Sequence, residues 1–269
     1  MKSDTATSDS SKLWAIQLYK RSPLKQQKFA AIRKMLPKSC EGLSCLDVGS
    51  DNGVISYLLR QLGGEWSSTD LIPSTVDAIR SVVQTRVYLL KENRVPVPDA
   101  TFDLIVVVDM LEHLEDDSGF VLELSRLLRP GGQLIVNVPN PKDGFLRRFR
   151  DFIGLTDAQH GHVRPGYTLE ALQNLLKGKF TITVSEDYSR LFSQIVDTVV
   201  CGGMALLKAG KGGQKGKIVT GETLQKKKKE FILFSLIYPF LKAAVLLDDF
   251  FPFTRGGMLI AKADIRRHE

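Results

Sequence analysis

CLDVGSDNG, residues 45–53, joins a short apolar run to a helix-forming one through a loop in which Gly49 and Gly53 flank Asp51. Glycines stand in such loops where the backbone turns with positive φ or comes close to a ligand. LSCLDVG reads as a strand, and VISYLLRQLG as a helix closed by Gly63. In sheets built this way, ligands sit at the carboxyl ends of the strands, near the point where strand order reverses. The amides that open the next helix can hold an anionic group there. The run EWSSTDL ends in Asp70, roughly twenty residues after the loop, where an acid can accept two hydrogen bonds from a ribose diol. The loop lacks GxGxxG, so a nicotinamide-dinucleotide reading loses its main support.

The same alternation continues outward. STVDAIRSVVQ reads as a helix after Pro73, RVYLL as a third strand and FDLIVVVDM as a fourth. The fourth is almost continuously apolar, as expected of a parallel strand covered on both faces. GFVLELSRLL is a helix ended by Pro130-Gly131-Gly132, and QLIVNVP is a fifth strand. TLEALQNLLKGK is a helix with Thr168 as its N-cap, FTITVSEDY alternates like a sixth strand, and MLIAKADI is a last one. This pattern predicts an α/β fold with a doubly wound, mainly parallel seven-stranded sheet.

Four parts follow from the composition along the chain. Residues 1–40 form a basic helical cap, with Pro23 as the break between amphipathic stretches, and 41–188 form the ligand-binding core. The core includes a mixed basic and aromatic substrate segment at 140–167. Residues 189–255 are an apolar and basic helical insertion holding the flexible AGKGGQKGK, and 256–269 are the final strand and tail.

With 269 residues and 43% hydrophobic content, one core suffices. Three cysteines without a CxxC pair argue for a reducing compartment and against a disulfide framework or a cysteine zinc site. MKSDTATSDSSK has no signal-peptide apolar run, so a cytoplasmic location is expected. The net charge of +7 suits an anionic lipid or an acidic substrate. No nucleic-acid motif is visible, and no nucleic acid is expected as partner. The apolar stretch from Phe231 to Leu247 follows four lysines, Lys226 to Lys229. It reads either as an interfacial segment on the inner face of the cytoplasmic membrane or as a cap over the substrate pocket.

The motifs together resemble the class I S-adenosylmethionine-dependent methyltransferases, in the subgroup written methyltransferase type 11. LDVGSDNG stands where that family has (L/V)DxGxGxG, and VPVPDATFDLIVVVDMLEHLED where it has LPFPDxSFDxVxxxxxLEHxxD. LLRPGGQLIVNVPN matches LKPGGxLxxxxPN, and HVRPGYTLEALQNLL resembles a segment of the quinone-biosynthesis and of sugar or lipid methyltransferases. The resemblance covers about 43–140 and implies S-adenosyl-L-methionine as cofactor. It places Asp47, Gly49, Ser50, Asp51, Gly53, Asp70, Leu71, Ile72, Asp109 and His113 at the cofactor.

Two departures stand out. Asp51 replaces the family's middle glycine; a short polar side chain tolerates left-handed backbone, and its carboxylate is expected to face the methionine ammonium. Lys91 stands where many members have an acid or polar residue near adenine, leaving Leu71 and Ile72, with Glu92 or Asn93 nearby, for that role. His160 and His162 are candidate bases for a hydroxyl acceptor, with His160 the freer and His162 and Arg164 partly structural. No metal is assigned: a divalent ion on Asp109, Glu112 and His113, as in some quinone O-methyltransferases, stands against a purely structural LEH loop.

The expected reaction is O-methylation of a small or lipid-linked amphiphilic acceptor. A soluble small-molecule enzyme whose insertion serves dimerisation is one alternative. A non-catalytic methyltransferase-fold scaffold of a membrane-associated biosynthetic complex is another.

Overall fold

β4, Phe102–Val108, lies at the middle of a seven-stranded sheet and explains its own composition. Leu104, Val106 and Val108 pack into one apolar layer, Ile105 and Val107 into the other, so both faces of the strand are covered and neither tolerates a polar residue. The chain is seen in a computed structural model, which describes residues 12–141, 145–153, 161–208 and 228–266.

The elements run in this order: α1 (12–20), α2 (Pro23–Met35), β1 (Ser44–Val48), α3 (Val54–Arg60), β2 (Glu65–Asp70), α4 (Pro73–Val83), β3 (Val87–Leu89), β4, α5 (Asp117–Leu127), β5 (Leu128–Pro139), α6 (Phe145–Phe152), α7 (Leu169–Leu176), β6 (Phe180–Tyr188), α8 (Leu191–Lys208), α9 (Lys228–Leu246) and β7 (Met258–Ile265). A 3-10 turn, Leu111–His113, follows β4, and another, Leu247–Phe250, follows α9.

Strand order is β3-β2-β1-β4-β5-β7-β6. β1 pairs in parallel with β2 on one side and β4 on the other, and β7 is antiparallel to both β5 and β6. The mainly parallel, doubly wound sheet read from the sequence is therefore the one observed. Order reverses between β1 and β4, which opens a crevice at their carboxyl ends.

Local chemistry sets the element boundaries. α2 begins where the Ser22 hydroxyl accepts from the Lys25 amide at 3.4 Å, with Pro23 in the first turn, where a missing N–H is harmless. Pro130-Gly131-Gly132, expected to end a helix, lies inside β5 instead. The helix has already stopped at Leu127, and a register shift between Phe102 and Leu104 takes up the glycines, with Gly131 at φ +82°.

Between β6 and β7 run α8 and α9. Asp248, buried in the turn after α9, accepts from the amides of Arg190 and Phe192 at 2.8 Å each and of Ser193 at 3.3 Å. A carboxylate there satisfies the open donors of α8 and suits the positive end of its dipole. α9 is also tied to α2, since Gln26 and the Tyr238 hydroxyl hydrogen-bond at 3.2 Å. Among the described residues no helix is long and apolar enough to cross a membrane.

Candidate functional site

At the crevice the loop after β1 folds back over β4. Gly49 has φ +82°, and a Cβ on it would lie 2.2 Å from the Val108 carbonyl oxygen, so glycine is required by both conformation and space. Asp51 takes φ +52°, the left-handed conformation expected of it. Gly53, at φ +79°, opens α3; a Cβ there would meet the Ile79 Cα at 2.9 Å, so its job is to bring α3 against α4.

Asp47 holds this loop from beneath. Fully buried, its carboxylate accepts from the hydroxyls of Ser50 at 2.5 Å, Ser56 at 2.7 Å and Ser68 at 2.8 Å, with Arg60 at 3.4 Å. With its oxygens so engaged, Asp47 acts on a ligand only through the loop shape.

The cleft has a volume of about 770 Å³. Gly49, Ser50, Asp51, Asp70, Leu71, Ile72, Asp109, His113 and His162 all line it, while Asp47 and Gly53 do not. His160 lies outside the described residues. Lys91, Glu92 and Asn93 form a tight turn away from the cleft, with the Asn93 amide donating to the Asp116 carbonyl at 2.8 Å.

Asp70 ends β2, largely buried, and accepts from the Ile72 amide at 3.0 Å. Burial pushes its carboxyl up to about 6, and the negative charges of Asp51 and Asp47 add to the rise. The carboxyl lines the cleft, where it can accept from a ligand's hydroxyls.

Two acids of the cleft already hold ammonium groups. Lys25 donates to Asp51 at 2.9 Å, and Lys28 donates to Asp109. Lys25 holds the Asp51 carboxyl below the usual range. Burial opposes the charge on Lys28, but Asp109 outweighs it, and the net shift is upward. The Asn137 amide also donates to Asp109 at 2.7 Å, and Tyr188 in turn donates to the Asn137 oxygen at 2.6 Å, so the carboxylate is fixed from the sheet side. Sequence reasoning missed both lysines. The signal was the Ser22-Pro23 helix start, which sets Lys25 and Lys28 three residues apart and therefore on one face.

Glu112 is fully buried and lines the cleft, and among the described residues neither carboxyl oxygen has a hydrogen-bond partner. Burial, then the charge of Asp109, pushes it up to about 8. Beside it, the His113 Nδ1 donates to the Gly161 carbonyl at 3.0 Å, and the rings of His113 and His162 meet edge to face at 4.8 Å. Ligand atoms of Glu112, His113 and His162 lie within 4.8 Å of one another, a donor set that suits a divalent ion. Asp109, considered with Glu112 and His113 from the sequence, is instead engaged by Lys28 and Asn137.

Arg164 straps this corner together. It reaches the carbonyls of Leu111 at 3.3 Å and Glu115 at 3.1 Å, the Tyr167 hydroxyl at 2.6 Å, and the Asp117 carboxylate. The far wall comes from Arg150, Asp197 and Cys201; the Arg150 guanidinium donates to Asp197 at 2.6 Å and to the Thr198 hydroxyl at 3.1 Å.

The chain is similar to known proteins in the region that builds this cleft. A family model described as a methyltransferase domain matches residues 21–179. A protein of Mycolicibacterium smegmatis named a probable S-adenosylmethionine-dependent methyltransferase is 32% identical over 111 residues, covering 40% of this chain and 43% of that one. A ubiquinone biosynthesis O-methyltransferase of Xylella fastidiosa (strain M23) is 33% identical over 109 residues, 38% of this chain and 44% of its own. The match thus spans less than half the length of these curated relatives. Among solved structures, the [4+2]-cyclase SpnF shares the fold with a TM-score of 0.56 at 19% identity, over 89% of this chain and 81% of that one.

Proposed function

The chain belongs to the methyltransferase-domain family, in the class I S-adenosylmethionine-dependent group, and on that premise we propose that it transfers a methyl group to an oxygen of a small or lipid-linked amphiphile. The single observation that carries this reading is the acid pattern of the cleft. Asp70 stands largely buried at the end of β2 in the cleft wall, while Asp51 and Asp109, also in that wall, each hold an ammonium group.

S-adenosylmethionine fits that pattern on chemical grounds. Its ribose diol needs an acceptor pair, which Asp70 supplies, and its methionine ammonium needs a carboxylate, which Asp51 or Asp109 supplies. Leu71 and Ile72 offer an apolar surface for the adenine. When bound, this cofactor supplies an electrophilic methyl on a sulfonium sulfur. The protein's work is then to align donor and acceptor and keep water from the pair. His162, inside the cleft, takes the proton of an acceptor hydroxyl onto its imidazole, and His160 is the second candidate. Ubiquinone-pathway relatives are O-methyltransferases by name, which favours oxygen as the acceptor atom. The apolar insertion along the far wall favours an amphiphilic acceptor and a peripheral place at the cytoplasmic face of a membrane.

Calorimetric titration with S-adenosylmethionine tests this. Saturable binding that Asp70→Ala weakens by about tenfold or more is expected, given charge-assisted hydrogen bonds worth roughly 1.5–3 kcal/mol each. No binding by the parent chain would hand the function to the scaffold alternative.

A further inference from the structure

α9 is held on one side and bare on the other. Inward, Tyr238 is bonded to Gln26, Val245 is buried, and Asp248 caps α8. Outward, Leu236, Phe240, Ala243, Leu247 and Phe250 follow one another at alternating steps of four and three residues, a single helical stripe, and all are exposed. Phe240 is 76% exposed and Phe250 75%; Phe253, just beyond, is 79% exposed. Water-facing helix surfaces are normally polar, and a helix apolar all round belongs in a core or in lipid. α9 is not in a core.

The exposed tip is ordered by its own packing. The Phe192 ring meets Phe251 at 5.2 Å, and Phe251 meets Phe253 at 5.7 Å, so the start of α8 props the loop outward. Cations flank the stripe. Lys242 is exposed on α9, and exposed Arg21 lies over the Tyr238 ring at 5.7 Å. α9 also begins on Lys228 and Lys229. An apolar stripe too short to span, edged by basic residues, has the build of a segment lying in the interface of an anionic bilayer.

Charge decides between a bilayer and a second copy. A two-fold contact sets the same surface against itself, so two faces each carrying Lys242 and Arg21 would be brought together. Anionic headgroups would neutralise them.

α8 links this surface to the cleft. Asp197 and Cys201, one turn apart, line the cleft, whereas Leu191, Ile195 and Val199, also at four-residue steps, are exposed. α8 thus packs against α9 and lines the cleft as well.

We propose that the face formed by Leu236, Phe240, Leu247, Phe250 and Phe253 docks on an anionic lipid bilayer and that the cleft draws its methyl acceptor from that bilayer. The docking stands on the surface itself; the acceptor half rests on the methyl-transfer reading. The test is sedimentation of the full chain with vesicles of phosphatidylcholine plus phosphatidylglycerol and with vesicles of phosphatidylcholine alone. Alongside it, S-adenosylhomocysteine is titrated into each variant. The parent is expected to sediment with the mixed vesicles. Phe240→Ser and the pair Phe250→Ser and Phe253→Ser are expected to weaken this about tenfold or more, as is replacing the mixed vesicles by the neutral ones. Lys242→Glu does the same in part without touching the apolar stripe. Affinity for S-adenosylhomocysteine stays unchanged throughout, which separates lost docking from lost folding. A parent that stays in solution with anionic vesicles, or variants that sediment like the parent, would overturn the docking. So would a dimer that the phenylalanine variants dissociate, since a second copy would then be the occupant. Intact docking with no S-adenosylhomocysteine binding overturns the acceptor half alone.

Discussion

Lys28, projecting from α2, donates to Asp109, the first residue after β4, so a helix from the N-terminal segment supplies a cation to the strand end that opens the cleft. Both side chains are mostly withdrawn from water, 24% and 29% exposed. Asp109→Asn keeps the shape and leaves the Lys28 charge without its acid. We expect a loss of about 1–3 kcal/mol in urea unfolding, the usual penalty for a part-buried group robbed of its partner. Donor affinity should fall with it. Unchanged stability would mean that the pair contributes nothing in solution.

Asp70 makes donor binding depend on pH. Its carboxyl is raised from 3.8 to about 6 by burial, so the folded protein favours the neutral form. The associated stability is present in full below pH 3.8 and is lost as pH rises through 6. Binding runs the other way, because the ribose hydroxyls need the charged acceptor. Affinity for S-adenosylhomocysteine should therefore rise between pH 5 and pH 7, and Asp70→Asn should flatten that rise. An equal slope in the variant assigns the titration to another group.

Gly49 is the loop position least able to change. Gly49→Ala forces a Cβ to within 2.2 Å of the Val108 carbonyl oxygen at φ +82°. We expect a loss of about 2 kcal/mol or more from strain and displacement of β4's end, read as a lowered midpoint in thermal or urea unfolding. Asp51→Gly, in contrast, relieves a left-handed residue and should be neutral or mildly stabilising, offset only by loss of the exposed Lys25 pair.

The sheet was legible because its strands are short, apolar and separated by turns, and because β4 must be apolar on both faces. Asp70 and Asp109 were legible because one ends β2 and the other directly follows β4. What the sequence concealed depends on contacts between distant segments. Nothing near Lys28 announces Asp109, 81 residues away. Asp248 reads as a polar break after an apolar stretch, yet it caps α8, 56 residues earlier at Phe192. Asp47 looked like a ligand contact, but three serines gathered from the loop, α3 and β2 enclose it. Pairings of this kind depend on which helices pack against which strands, and a linear pattern carries only the faces, not the partners.

Glu112 gives the sharpest prediction because its neighbourhood leaves it unsatisfied. Among the described residues neither oxygen has a hydrogen-bond donor, and the side chain is fully buried beside the cleft. Burial raises the carboxyl from 4.5 to about 8, so the folded state holds a proton that the unfolded chain has released. Stability from this group is complete below pH 4.5 and declines as pH rises through 8, by an amount on the order of a few kcal/mol. Glu112→Gln cannot ionise, so its stability should be nearly level across that window and exceed the parent's at the alkaline end. Adding zinc or manganese to the parent gives a second readout. If the Glu112, His113 and His162 group takes up an ion, the parent's unfolding midpoint should rise at pH 8 and the variant's should not, since binding to the folded state alone is stabilising. A parent profile as level as the variant's would show that Glu112 is solvated and ordinary, and an unfolding midpoint that zinc and manganese leave unmoved would remove the metal reading.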